Sequence, residues 1–199
     1  MFRLPTLTTL PLTLASASPR RVILLEQIGI KPQHIIAPEI DEIPLKDELP
    51  RSYVKRMAQY KMQRGQKNVE TRFILTADTI VAAGRRILNK TSDCSIAETH
   101  LRLLSGRRHR VYTYVILANV RTGRVSSKLV STIVQLSRFT ETQLQTYLKS
   151  NEWIGTAGAY AIQGRASSFV KKINGSYSNI VGLPLFETAQ LLRGQGLLP

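Results

Sequence analysis

A chain of 199 residues with 43% hydrophobic content lies within the size of one compact domain, so residues 1–199 are expected to form a single unit. No apolar stretch approaches the roughly 20 residues a bilayer-spanning helix needs, which argues against an integral membrane protein. Lys plus Arg total 28 against 13 acidic residues, a formal charge of +15 that attracts polyanions, but the basic residues are scattered and a solvated basic surface accounts for most of the excess.

At the N-terminus, Arg3, a Leu/Thr/Pro run and Ala15-Ser16-Ala17 weakly resemble a secretory signal, but Pro5, Pro11 and several threonines interrupt the apolar region. The expectation is retention in the cytoplasm. Cys94 is the single cysteine, which rules out an internal disulfide, and His34, His100 and His109 lack zinc-finger spacing from it.

In chain order, Leu12 to Ala15 reads as a strand, followed by a helix capped by Ser18 with Pro19 in its first position. That helix is expected to turn Val22, Ile23, Leu25 and Ile28 inward and to stop at Gly29. A short strand at 34–36 and an acidic loop through Asp41 and Glu42 lead to a second helix after Pro50. Phe73-Ile74-Leu75 predicts a strand ending near Asp78, with Ile80-Val81 and Ile87-Leu88 flanking a turn at Gly84. A third helix begins at Ser92 or Asp93, carries Ile96, Ala97, Leu101 and Leu104 on its apolar side, and ends at Gly106. Two long strands at 109–120 and 124–139, joined at Arg121-Thr122-Gly123, are expected to pair antiparallel. Thr140 opens a short helix, and 178–192 reads as a closing helix despite Gly182 and Pro184. The pattern predicts an α/β protein with a mixed central sheet flanked by helices.

Ser16-Ala17-Ser18-Pro19-Arg20-Arg21 sets two hydroxyls and two guanidiniums between a strand and a helix N-terminus, where free N–H groups and the helix dipole favour an anion. Exposed first-turn arginines are the alternative. Lys61 falls within the helical stripe of Tyr53, Val54, Met57 and Ala58, so it either snorkels to the rim or meets a carboxylate or phosphate. Asp78, at the expected carboxyl end of a sheet strand, stands on the usual ligand side of α/β sheets, with a capping role as the alternative. Glu42 offers a second carboxylate for Mg²⁺, and Lys90 another cation, unless it is simply exposed.

Several strings resemble Maf proteins in family order over nearly the whole chain: Leu14-Ala15-Ser16-Ala17-Ser18-Pro19-Arg20-Arg21, Ala77-Asp78-Thr79-Ile80-Val81, Ile87-Leu88-Asn89-Lys90, and Leu104-Ser105-Gly106 with His109-Arg110-Val111-Tyr112-Thr113. Ala157-Gly158-Ala159-Tyr160-Ala161-Ile162-Gln163-Gly164, Gly175-Ser176-Tyr177 and Val181-Gly182-Leu183-Pro184 continue the match. Thr91 stands where the family commonly has proline, and Thr156 where it frequently has a basic or polar residue.

The resemblance implies a nucleoside triphosphate pyrophosphatase that releases a nucleoside monophosphate and pyrophosphate with a divalent cation, Mg²⁺ or Mn²⁺. It also implies an elongated, inosine-triphosphatase-like (Maf/Ham) fold with a central cleft, often in a homodimer. By the same carry-over Asp78 is the proton acceptor, and Arg20, Thr79 and Gln163 match positions linked to substrate choice. Ser16, Arg21, Glu42, Lys61 and Lys90 match other cleft residues. Asp78 and Glu42 are expected to hold the cation, while Arg20, Arg21, Lys61 and Lys90 grip the phosphates.

The tract around Gln163 resembles the branch acting on dTTP and UTP rather than the one acting on 7-methyl-GTP. A glutamine amide complements the O4 and N3–H edge of uracil or thymine, although a buried glutamine bridging two loops is the plainer possibility. A non-enzymatic regulator that binds nucleic acid or a protein, linked to septum formation, is the alternative function. Phosphate-backbone binding would need no metal and would weaken steeply with salt.

Overall fold

The computed structural model describes residues 7–67 and 69–199, so Arg3 and Pro5 of the signal-like segment lie outside the described residues. In chain order the elements are β1 (Thr8–Ala15), α1 (Pro19–Gln27), β2 (Ile30–Ile36), α2 (Pro50–Gln66), β3 (Phe73–Ala83), β4 (Arg86–Leu88) and α3 (Cys94–Leu104). They continue with β5 (Arg108–Asn119), β6 (Val125–Leu136), α4 (Glu141–Lys149), β7 (Val170–Asn174), α5 (Tyr177–Val181) and α6 (Leu185–Gly194). Short 3-10 turns at Ala157–Ala159 and Arg165–Phe169 lie between α4 and β7.

The seven strands form one mixed sheet in the order β2-β1-β3-β5-β6-β7, with β4 paired to β3. β1 is parallel to β2 and β3, whereas β3, β5, β6 and β7 run antiparallel in sequence. The expected antiparallel pair is therefore β5 and β6, and the Asn119 side chain accepts from the N–H groups of Arg121 and Thr122 in the turn between them.

Alternation along β3 divides the core. Ile74, Ile80 and Ala82 join Tyr53, Val54, Met57, Ala58 and Met62 of α2 on one face. Phe73, Leu75 and Ala77 pack on the other face with Leu24 and Leu25 of α1 and Leu191 and Leu192 of α6. A further cluster gathers α3, α4 and Trp153 around Val81, Val111 and Val134.

Local chemistry explains the helix ends. Asp93 caps α3 by accepting from the N–H groups of Ser95 and Ile96. Thr140 and Gln143 form a reciprocal capping box on α4. Ser18 occupies the cap position of α1, but its side chain makes no capping bond.

Four expectations are corrected. β3 does not end near Asp78 but runs on to Ala83, because β5 pairs with it from Phe73 to Ala82. Ile23 is 55% exposed, since the inward stripe of α1 runs through Arg21, Leu24 and Leu25. Ile96 is likewise exposed, and Ala97, Leu101 and Leu104 carry the contact of α3. The expected closing helix is two helices, broken where Gly182 takes a φ of 132° and Pro184 follows.

Candidate active site

A gap in the sheet builds the site. β1 pairs with β3 only as far as Ala15 opposite Thr76, and on the same edge the pairing with β4 starts at Val81, opposite its last residue Leu88. Among the described residues Ala77 to Ile80 thus have no strand beside them on that edge, while β5 holds them on the other through pairs such as Asp78 with Tyr114 and Thr79 with Thr113. Asp78 and Thr79 project to opposite faces of β3 inside this gap, so one opening serves both faces of the sheet.

On the α2 face, the Lys61 ammonium bonds the Asp78 carboxylate and lies 2.7 Å from Glu42 Oε1. Lys61 and Asp78 are only 7% and 4% exposed, and an unpaired charge at that depth would be costly. Of the two alternatives for Lys61, it meets carboxylates rather than snorkelling. Glu42 keeps 42% of its side chain exposed, with Lys90 Nζ 3.7 Å from Oε2. The Tyr53 hydroxyl donates to the Glu42 carbonyl at 2.5 Å and fixes the loop carrying the carboxylate. Burial pushes the Glu42 carboxyl up, but Lys61, Lys90 and Arg21 together hold it below the usual carboxylate value. Burial pulls the Lys90 ammonium down, with Glu42 opposing.

On the opposite face lies a different construction. Arg21 is 7% exposed and spends its guanidinium on protein acceptors: Nε on the Gly182 carbonyl at 2.7 Å, Nη1 on Ser16 Oγ at 2.7 Å, and Nη2 on Thr79 Oγ1 at 3.3 Å. The Ser16 oxygen also accepts from the Ser18 N–H, which leaves the Ser16 hydroxyl proton free to donate. Thr79 Oγ1 shares a hydrogen bond with Thr113 Oγ1 at 2.9 Å and lies 3.2 Å from the Gly182 carbonyl. Burial lowers both Arg21 and Arg20, and Asp78 opposes the shift on Arg21. Arg21 is thus not the exposed first-turn residue offered as its alternative.

Arg20, Arg21, Thr79, Lys90 and Gln163 line one cavity, while Glu42, Asp78, Thr79 and Lys90 line a second. Thr79 and Lys90 border both, which joins them at the gap. Ser16 and Lys61 line neither, but bond residues that do. All nine sequence-predicted residues therefore gather at one opening. Gln163 is exposed at the cavity wall with no hydrogen bond among the described residues, so it does not bridge two buried loops. Lys90 is held near by its chain, since the Gly155 N–H donates to the Thr91 carbonyl at 3.1 Å.

Sequence reasoning missed the roles of Tyr53, Thr113 and the Gly182 carbonyl. Tyr53 read only as part of an apolar stripe, and a backbone carbonyl leaves no trace in residue type. The oxygen donors able to hold a metal are Asp78 and Glu42. Among the described residues no group of three or more His, Cys, Asp or Glu stands ready as a cage. Two carboxylates on one opening suit Mg²⁺ or Mn²⁺, which keep waters and take phosphate oxygens as further ligands.

Fold and site together define an α/β protein whose sheet edge opens onto a cleft with four cations and two carboxylates. The family model described as Maf-like protein matches residues 11–195, and the chain belongs to the Maf family. It is 53% identical over 191 residues to a protein of Chelativorans sp. (strain BNC1) named dTTP/UTP pyrophosphatase, covering 93% of this chain and 91% of that one. Relatives bearing the same name occur in Rhodopseudomonas palustris (strain HaA2), 49% identical over 93% of this chain and 92% of its own, and in Rhodospirillum rubrum, 48% identical over 95% and 90%.

Proposed function

We propose that this chain hydrolyses dTTP and UTP to the nucleoside monophosphate and pyrophosphate with the help of a divalent cation. The observation that carries the reading is the meeting of Asp78, Glu42, Lys61, Lys90 and Arg20 at the gap in the sheet edge, in a chain about half identical to proteins named for that activity.

Hydrolysis at the α phosphorus requires a positioned water, a proton acceptor and neutralisation of the leaving pyrophosphate. Asp78 accepts the proton of the attacking water, and the Lys61 ammonium orients its carboxylate. Arg20 and Lys90, which face the cavity, grip the phosphate chain, and the Ser16 hydroxyl donates one further bond. Arg21 keeps Ser16, Thr79 and the Gly182 loop in register beneath the phosphates. Asp78 and Glu42 would hold the divalent cation, whose charge would offset that of the phosphates and of the leaving pyrophosphate. Gln163 reads the O4 and N3–H edge of the pyrimidine with its amide oxygen and nitrogen. In this reading the protein works in the cytoplasm as a homodimer. No helix among the described residues is long and apolar enough to cross a membrane.

Product analysis on dTTP, UTP, CTP and 7-methyl-GTP, with and without Mg²⁺, tests the proposal. Pyrophosphate and monophosphate should form from dTTP and UTP only with the metal. Preference for 7-methyl-GTP, or release of inorganic phosphate, contradicts it.

A further inference from the structure

The segment that carries Gln163 is held more firmly than a surface loop requires, and three of the side chains that hold it, His109, Tyr147 and Glu152, do not line the cavity. The Tyr160 hydroxyl meets His109 Nε2 at 2.8 Å, with the two residues 5% and 3% exposed and their rings edge to face at 5.3 Å. The next residue, Ala161, donates its backbone N–H to the Tyr147 hydroxyl of α4 at 3.0 Å. Beyond Gln163, the Arg165 N–H donates to Glu152 Oε2 at 2.7 Å. Gly158, at a φ of 69°, lies so close to Val81 that a Cβ there would stand 2.8 Å from that side chain. Backbone anchors thus bracket Gln163 on both sides, while its own amide stays free at the cavity wall.

The His109 and Tyr160 pair is poorly suited to stability alone. His109 Nδ1 is buried without a partner among the described residues, and an apolar pair of similar size would avoid that cost. Burial also brings the imidazole down to about 4, so it stays neutral at physiological pH and the hydrogen bond to Tyr160 persists there.

We propose that His109 and Tyr147 are specificity-setting positioning residues: through the Tyr160 hydroxyl and the Ala161 backbone they fix the Gln163 amide against the pyrimidine edge. The inference rests on the base-reading role of Gln163 given above. Cytosine exchanges the donor and acceptor of thymine at that edge, so discrimination between dTTP and dCTP requires that the anchored backbone bring the amide to the base in one orientation only.

The test measures kcat and KM on dTTP and dCTP, together with thermal melting, for five proteins. These are the wild type, Gln163→Leu, Tyr147→Phe, His109→Gln, and the double variant His109→Leu/Tyr160→Phe. Tyr147→Phe and the double variant should lower the dTTP over dCTP ratio of kcat/KM about tenfold, chiefly through a raised KM for dTTP. His109→Gln, whose amide can still reach the Tyr160 hydroxyl, should recover most of the ratio. The double variant should melt no more than a few degrees below the wild type, which separates positioning from simple loss of stability. If Gln163→Leu collapses the ratio while the two anchor variants leave it unchanged, the inference falls and the base-reading role stands. If Gln163→Leu itself leaves the ratio unchanged, both fall.

Discussion

Asp78 and Thr79 are neighbours in β3, yet the two faces they serve solve the problem of buried charge in opposite ways. On the α2 face the charges satisfy one another: Lys61 is shared by Asp78 and Glu42, and Glu42 and Lys90 remain partly in solvent. Such an arrangement can exchange a partner for a ligand, because an incoming phosphate or cation replaces one ionic contact with another. On the α1 face the Arg21 guanidinium commits three of its five N–H donors, one from each nitrogen, to a carbonyl and two hydroxyls. The comparison teaches that proximity to a cleft does not fix a role. A charge with exposed, ionic partners is available to exchange them for a ligand, whereas a charge bonded on all three nitrogens to neutral protein acceptors also holds the walls of the cleft together.

The sharpest way to break this contrast is to alter each side in turn. Asp78→Asn on the ionic face should leave the circular-dichroism spectrum unchanged and reduce pyrophosphate release by about 10³-fold or more, within the range for a lost general base. Turnover near the wild-type rate would end its assignment as proton acceptor.

Arg21→Met on the hydrogen-bonded face should act mainly on stability. Stranding the acceptors of Ser16, Thr79 and Gly182 should cost about 2–4 kcal/mol in urea unfolding. An unchanged midpoint with a large loss of activity would make Arg21 a direct phosphate ligand instead.

A third test uses pH. The folded His109 titrates at about 4, below its ordinary 6.5, so between those values the unfolded chain binds the additional proton. Stability should therefore be complete above about pH 6.5 and decline as pH falls towards 4, by on the order of 3 kcal/mol. Denaturant titrations at several pH values should show that slope in the wild type and a shallower one in His109→Gln. Equal slopes would refute the burial argument.

The smallest effect belongs to Lys90→Ala, at an exposed position of the ionic face. It should raise KM for dTTP about tenfold and leave unfolding stability within about 0.5 kcal/mol, as surface substitutions usually do. A marked stability loss would show that Lys90 is structural.

Much of this architecture was legible in residue patterns. The caps at Asp93 and Thr140 and the hairpin between β5 and β6 follow from local rules that the fold obeys. Helical winding placed Lys61 within the apolar stripe, but only the structure decides between snorkelling and a counter-charge, in favour of Asp78 and Glu42. What escaped the sequence depends on distant partners. Arg21 is buried because Gly182, 161 residues away, brings a carbonyl to its Nε. β3 extends through Asp78 because β5 continues beside it, and no local stop signal marks the end of β1 as the start of a gap. β7 was not foreseen, since Lys171 and Lys172 interrupt the apolar pattern of a short strand that pairs only with β6.

The most direct measurement is a structure of the protein with Mg²⁺ and a dTTP analogue whose α–β bridge is a non-hydrolysable imido group. The α phosphate should lie in the gap between β1 and β4 within reach of Asp78 and Glu42, with Arg20 and Lys90 on the β and γ phosphates and thymine against Gln163. A triphosphate bound elsewhere, or bound with its γ phosphate beside Asp78, would contradict the account.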